Sequence, residues 1–107
     1  MRRTLLVTDA NFEEEVLKSN MPVLVDFWAS WCIPSQMMMP VLEKLSIEME
    51  GKAIIKKINV DQNPISRDKY KIMGCPTFIL FKKGNEMVRT VGAQSENQLR
   101  KIIDSIS

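Results

Sequence analysis

The sequence predicts one α/β domain, residues 1–107, built as a central mixed sheet with helices on both faces in the order β-α-β-α-β-α-β-β-α. Three observations carry that reading. Val23-Leu24-Val25-Asp26-Phe27-Trp28 is a nearly unbroken apolar run, the pattern of a strand covered on both faces. Residues 77–81 and 86–91 are two strand-like runs around Lys82-Lys83-Gly84-Asn85, which spells a hairpin with a glycine-containing turn. Ser95 and Gln98 form a capping box ahead of the stripe Leu99, Ile102, Ile103 and Ile106, so an amphipathic helix follows the hairpin.

The remaining elements fall into place between these three. Thr4-Leu5-Leu6-Val7 reads as a short strand closed by Thr8-Asp9, which can cap the next helix. Residues 11–19 read as that helix, with Phe12 and Val16 on one face, and Glu13-Glu14-Glu15 puts negative charge at its N-terminal end, where the helix dipole favours it. Met21-Pro22 punctuates before the apolar run. Asp26 alone interrupts that run; it either reaches solvent at a pleat position or is a buried carboxylate with a task, since an ionised Asp is rarely buried without a partner.

A second helix begins after Cys32, with Pro34 in its first turn, where a missing N–H costs nothing. Met38, Val41 or Leu42, Leu45 and Met49 recur at helical spacing, Gly51 stops the helix, and Pro40 inside the pattern predicts a kink. Ala53-Ile54-Ile55 through Ile58 is a third strand, and a short helix spans about 64–70.

Composition narrows the function. Hydrophobic residues at 45% and charged residues at 26% argue for a packed domain rather than a disordered chain. Fifteen Lys+Arg against thirteen Asp+Glu leave +2, too balanced to call for nucleic acid or an anionic membrane as partner. Histidine is absent, which removes Cys-His and Ser-His-Asp catalysis and His-ligated metal sites within the chain. Two cysteines, Cys32 and Cys75, are too few for a secreted disulfide scaffold or a four-cysteine zinc site, so neither metal nor cofactor is expected. Met1-Arg2-Arg3 leads into a short apolar segment rather than a signal-peptide core, and no apolar run approaches the ~20 residues of a spanning helix. The expectation is a soluble, monomeric protein of a reducing cytoplasm.

The chemistry concentrates in Trp28-Ala29-Ser30-Trp31-Cys32-Ile33-Pro34-Ser35. Cys32 lies where a buried strand passes into a helix N-terminus, and there unpaired N–H groups and the helix dipole favour the thiolate, the nucleophilic form of cysteine. A small buried hydrophobe is the plainer fate of a free cysteine. Location favours the nucleophile, because strand-to-helix turns of α/β sheets are where ligands bind.

On that turn Trp31-Cys32-Ile33-Pro34-Ser35 resembles the Trp-Cys-Gly-Pro-Cys of the thioredoxin family. The likeness spans nearly the whole chain: Val25-Asp26-Phe27-Trp28-Ala29, Pro40, Asn59-Val60-Asp61-Gln62-Asn63-Pro64, Gly74-Cys75-Pro76-Thr77, Phe81-Lys82-Lys83-Gly84 and Val91-Gly92-Ala93. It implies the thioredoxin fold, thiol–disulfide exchange, disulfide-containing client proteins and an upstream reductant of the thioredoxin-reductase type. Carried over by position, Cys32 resembles the attacking cysteine, Asp26 the buried carboxylate that handles protons, and Lys57 its cationic neighbour. Pro76 resembles the family's cis-proline beside the reactive sulfur. Trp31, Ile33, Pro34, Met73, Gly74, Cys75, Gly92 and Ala93 match the surface that docks the client, and Trp28 matches a supporting aromatic.

Ser35 stands where the family has its resolving cysteine. A hydroxyl has no redox chemistry and cannot attack a mixed disulfide, so Cys32 is expected to engage a client and stall. Three explanations stay open: a deliberate cysteine-to-serine change, a natural monothiol protein resolved by an external thiol, or Cys75 acting as partner of Cys32. The preferred reading of Cys75 is a rim residue in the slot of a small aliphatic. Ile33 replaces the usual glycine. Of Met37-Met38-Met39, helical geometry sends most of the run into the core and one side chain to the rim.

Overall fold

A computed structural model of the chain describes residues 5–106. Four strands form one mixed sheet in the order β2-β1-β3-β4: β1 (Val23–Trp28), β2 (Ile54–Asn59), β3 (Thr77–Lys82) and β4 (Asn85–Val91). β1 pairs parallel to β2 and antiparallel to β3, which pairs antiparallel to β4. Val23 and Phe27 are fully buried towards the two ends of β1, and Asp26 between them is equally sealed from solvent. The apolar run therefore becomes an inner strand, as its pattern requires.

Alternation along β1 separates two cores. Val23, Val25 and Phe27 pack with Phe12, Val16, Ile58, Ile79 and Phe81 on one face. Leu24 joins Leu42, Leu45, Phe78, Leu80, Leu99 and Ile103 on the other. The second face is covered by α2 (Met39–Glu48) and α4 (Glu96–Asp104). A helical turn at Glu13–Leu17 covers the first, and Tyr70, just past α3 (Pro64–Lys69), packs there too. Helices thus lie on both faces of a central mixed sheet, as the sequence predicts.

Several local expectations change. Thr4 of the first expected strand lies outside the described residues, and the rest reduces to a single parallel bridge, Leu6 to Lys57, on the outer edge of β2. Asp9 does not cap the segment after it; its carboxylate accepts from Ile65 N at 3.1 Å and Ser66 N at 2.8 Å, capping α3 instead. The helix expected over 11–19 shortens to a π-type turn, closed by Lys18 N donating to Glu13 O at 2.9 Å. The second helix does not merely kink at Pro40. It breaks at Met38 into α1 (Ile33–Met37) and α2, because Pro40 has no N–H to give Gln36 O.

The hairpin and the last helix follow the sequence closely. Lys83 and Gly84 both take positive φ, 50° and 81°, in the two-residue turn that joins β3 to β4. At the start of α4, Gln98 N donates to Ser95 Oγ at 3.1 Å and Ser95 N donates to Gln98 Oε1 at 2.7 Å.

Candidate functional site

The sheet register gathers the site. Trp28, the last residue of β1, stands opposite Asn59 of β2, while Phe27 stands opposite Thr77 at the start of β3. Thr77 in turn faces Val91 at the end of β4. The turn 29–32, the loop 60–63, the loop 71–76 and Gly92-Ala93 therefore converge at one end of the sheet. Ligand sites of open α/β sheets form at such strand ends.

Cys32 is the N-cap of α1, with Pro34 in the first turn and Gln36 N donating to Cys32 O at 3.1 Å. Opposite it stands the loop that enters β3, whose Cys75–Pro76 peptide bond is cis. Two bonds hold that loop: Thr77 Oγ1 donates to Gly74 O at 2.7 Å, and Gly92 N donates to Pro76 O at 2.7 Å. Gly74 itself has no room for a side chain, since a Cβ would meet Val91 Cγ1 at 2.8 Å.

The two loops are joined covalently. Cys32 and Cys75 form a disulfide with their Cα atoms 6.5 Å apart. That separation lies in the ordinary range for a bridge. Cys75 is therefore more than the rim residue expected from the sequence, and a stall at Cys32 no longer follows from Ser35 alone. Ser35 is fully buried, and its Oγ has no hydrogen-bond partner among the described residues.

Beneath the turn, Asp26 is sealed from solvent, and neither carboxylate oxygen has a hydrogen-bond partner among the described residues. Burial disfavours its charge and pushes its pKa up to about 8, against the smaller opposing pull of Lys57. Strand alternation matters here. Asp26 points to the Leu24 side of the sheet, whereas Cys32 and Cys75 pack on the Phe27 side.

The structure brings the remaining positions together around the sulfur pair. Trp31 and Ile33 are each 69% exposed and Met73 is 96% exposed, so these large apolar groups face solvent beside the disulfide. Pro34 and Ala93 are exposed, Gly92 is half-buried, and Pro76 is buried. Of the methionine run, Met37 is exposed, Met38 is buried, and Met39 lies between. Sequence reasoning missed Val60, Asp61, Arg67 and Ile72, which line a cavity beside Cys75. The signal for Asp61 was its place in the Asn59–Pro64 run of the family likeness; in the fold, Trp31 Nε1 donates to Asp61 Oδ2 at 2.8 Å.

A family model for thioredoxin matches residues 3–105. The chain belongs to the thioredoxin family. It is 48% identical over 99 residues to a thioredoxin of Rickettsia bellii, covering 92% of this chain and 94% of the relative. It is 46% identical over 99 residues to a thioredoxin of Pseudomonas aeruginosa, covering 92% of each. A thioredoxin of Chlorobaculum thiosulfatiphilum is 50% identical over 97 residues, covering 91% of this chain and 90% of the relative. Family membership makes the chain a thiol–disulfide oxidoreductase that acts on disulfide-containing substrates. Among the described residues no helix is long and apolar enough to cross a membrane.

Proposed function

We propose that this chain reduces client disulfides with Cys32 and Cys75 as its two-electron couple, in place of two cysteines on one turn. The observation that carries the reading is the Cys32–Cys75 bond, formed while the family's resolving position holds Ser35.

In the reduced chain the Cys32 thiolate attacks a client disulfide, forming a Cys32–client bond and releasing one client thiolate. Cys75, as thiolate, then attacks Cys32 Sγ, forming the intramolecular disulfide and releasing the second client thiolate. Two electrons pass to the client, and the released thiolates take protons from solvent. A thioredoxin-reductase-type reductant returns two electrons to the Cys32–Cys75 bond.

The exposed Trp31, Ile33 and Met73 supply an apolar docking surface, with Pro34, Gly74, Gly92 and Ala93 at its edges and Pro76 holding the loop against which the client lies. Asp26 and Lys57 act without contact with Cys75, since they occupy the other face of the sheet. The protein works as a single-domain monomer in the cytoplasm, without metal or cofactor.

The test is dithiothreitol-driven reduction of a disulfide-bonded protein by the chain, by Cys75→Ser and by Cys32→Ser. The expected result is turnover by the unaltered chain, none by Cys32→Ser, and a mixed disulfide accumulating on Cys32 in Cys75→Ser. Adding Ser35→Cys to Cys75→Ser restores turnover. Unchanged turnover in Cys75→Ser alone would assign resolution to an external thiol instead.

A further inference from the structure

With Cys32 and Cys75 tied in a disulfide, neither carries a thiolate, and the oxidisable sulfur left on the surface is thioether. The described methionines differ widely in access. Met38 and Met49 are buried, Met21 and Met39 lie between, Met87 is 48% exposed, Met37 66% and Met73 96%. Met73 also stands two residues before Cys75, and with Trp31, Ile72 and Cys75 it lines the cavity beside the sulfur pair.

That exposure is built into the loop. Lys71 takes a positive φ of 52° just past α3, and Ile72 N donates back to Arg67 O at 3.0 Å. On the other side Gly74 O accepts from Thr77 Oγ1 at 2.7 Å. The backbone is thus pinned on both flanks of Met73, and the side chain is left to solvent. Trp31 is held in the same cavity wall by its Nε1 bond to Asp61 Oδ2 at 2.8 Å, so an apolar client group seated there meets both side chains.

We propose that Met73 is a reversible oxidation site, which takes oxygen from hydrogen peroxide and thereby weakens client docking. Its Sδ lone pair attacks one peroxide oxygen. An S–O bond forms, the O–O bond breaks, and the other oxygen leaves as water with both protons. The thioether is oxidised by two electrons and the peroxide is reduced by two. The product sulfoxide is polar and must be desolvated wherever a client covers it. Sulfoxide reductases return it to the thioether. This switch rests on the apolar docking surface of the function proposed above and adds regulation to it. The sulfur couple is untouched, because neither cysteine is a thiolate while the peroxide acts.

The experiment treats the disulfide form with hydrogen peroxide, removes the peroxide, and maps the sulfoxides by peptide mass spectrometry. Two rates are then read: dithiothreitol-driven reduction of a disulfide-bonded protein, and oxidation of the reduced chain by bis(2-hydroxyethyl) disulfide, a probe too small to need the apolar surface. Met73 is expected to convert before any other methionine, raising KM for the protein client about tenfold and leaving the small probe within about twofold. Sulfoxide reductase is expected to restore KM. Met73→Gln, polar and of similar length, is expected to raise KM without peroxide. Met73→Leu, compared with its own untreated form, is expected to lose the peroxide response, and Met37→Leu to keep it.

An unchanged KM with Met73 fully converted, or a response that persists in Met73→Leu, would overturn the switch while leaving the Cys32–Cys75 couple intact. Equal slowing of both substrates would overturn it too, by placing the damage at the sulfurs. Absence of client reduction by the untreated chain would overturn the proposed function, and this inference with it.

Discussion

Asp26 and Lys57 are paired across β1 and β2, yet the Lys57 ammonium lies against Met39 Sδ at 3.3 Å and over the Trp28 ring at 5.9 Å. Both Asp26 oxygens are left without a hydrogen bond from any described residue. The pair is laterally aligned without being a salt bridge. That is why burial dominates and holds the Asp26 pKa at about 8, with Lys57 lowering it only in part.

The pH dependence of stability follows from that shift. Below the ordinary carboxylate value of 3.8 Asp26 is protonated in both folded and unfolded chains, and no penalty arises. As pH rises the unfolded chain ionises while the folded chain keeps its proton, so stability falls until the folded group ionises at about pH 8. Asp26→Asn removes this limb. Its advantage over the unaltered chain should grow by roughly 3–5 kcal/mol between about pH 4 and pH 9, read by urea unfolding at each pH. An advantage independent of pH would show that Asp26 is solvated or well paired.

Redox state should also be visible in stability. The disulfide joins residues 43 apart in sequence, far more than a bridge within one turn would. Constraining the unfolded chain over such a loop stabilises the fold by about 2–4 kcal/mol. Reduction is therefore expected to lower Tm by roughly 10–20 °C. Cys75→Ser should melt like the reduced chain whether or not reductant is present. Equal melting of oxidised and reduced protein would mean that the bond does not persist in solution.

The loop that presents Cys75 depends on the absence of a side chain at Gly74. Gly74→Ala would drive its Cβ into Val91 Cγ1, and the expected cost is about 1–2 kcal/mol. Adding Val91→Ala should recover most of that loss, a coupling that a double-mutant cycle measures. Additive effects would place the strain elsewhere.

The capping box of α4 lies away from the sulfur chemistry. Ser95→Ala removes the acceptor for Gln98 N and should cost about 1 kcal/mol of stability without changing the rate of disulfide exchange. A change in that rate would link α4 to the site in a way its position does not suggest.

Legibility in the sequence divides along physical lines. Strands β1, β3 and β4 and helix α4 announce themselves through local pattern, because burial on one or two faces repeats at fixed spacing. The break at Met38 was half visible: Pro40 marked it, but the missing bond is two residues away from Met38, at Gln36 O. Asp9 reads locally as a cap for the segment after it, because its actual partners, Ile65 and Ser66, come from a helix that only the tertiary fold brings near. At the site, Cys32, Asp26 and the residues around Pro76 were legible through family likeness. The bond between Cys32 and Cys75 was one of several open readings, since it depends on two loops converging rather than on any spacing along the chain. Arg67 gave no signal at all, being one surface cation among fifteen Lys+Arg until the fold set it beside Cys75.

Mapping the thiols after one client turnover shows whether Cys32 and Cys75 form one redox couple. The protein is alkylated, digested with trypsin without reductant, and analysed by mass spectrometry. The expected product is residues 19–44 linked by a disulfide to residues 72–82, with neither cysteine alkylated. Client peptide held on Cys32 with Cys75 alkylated would contradict it, and would make this chain a monothiol trap.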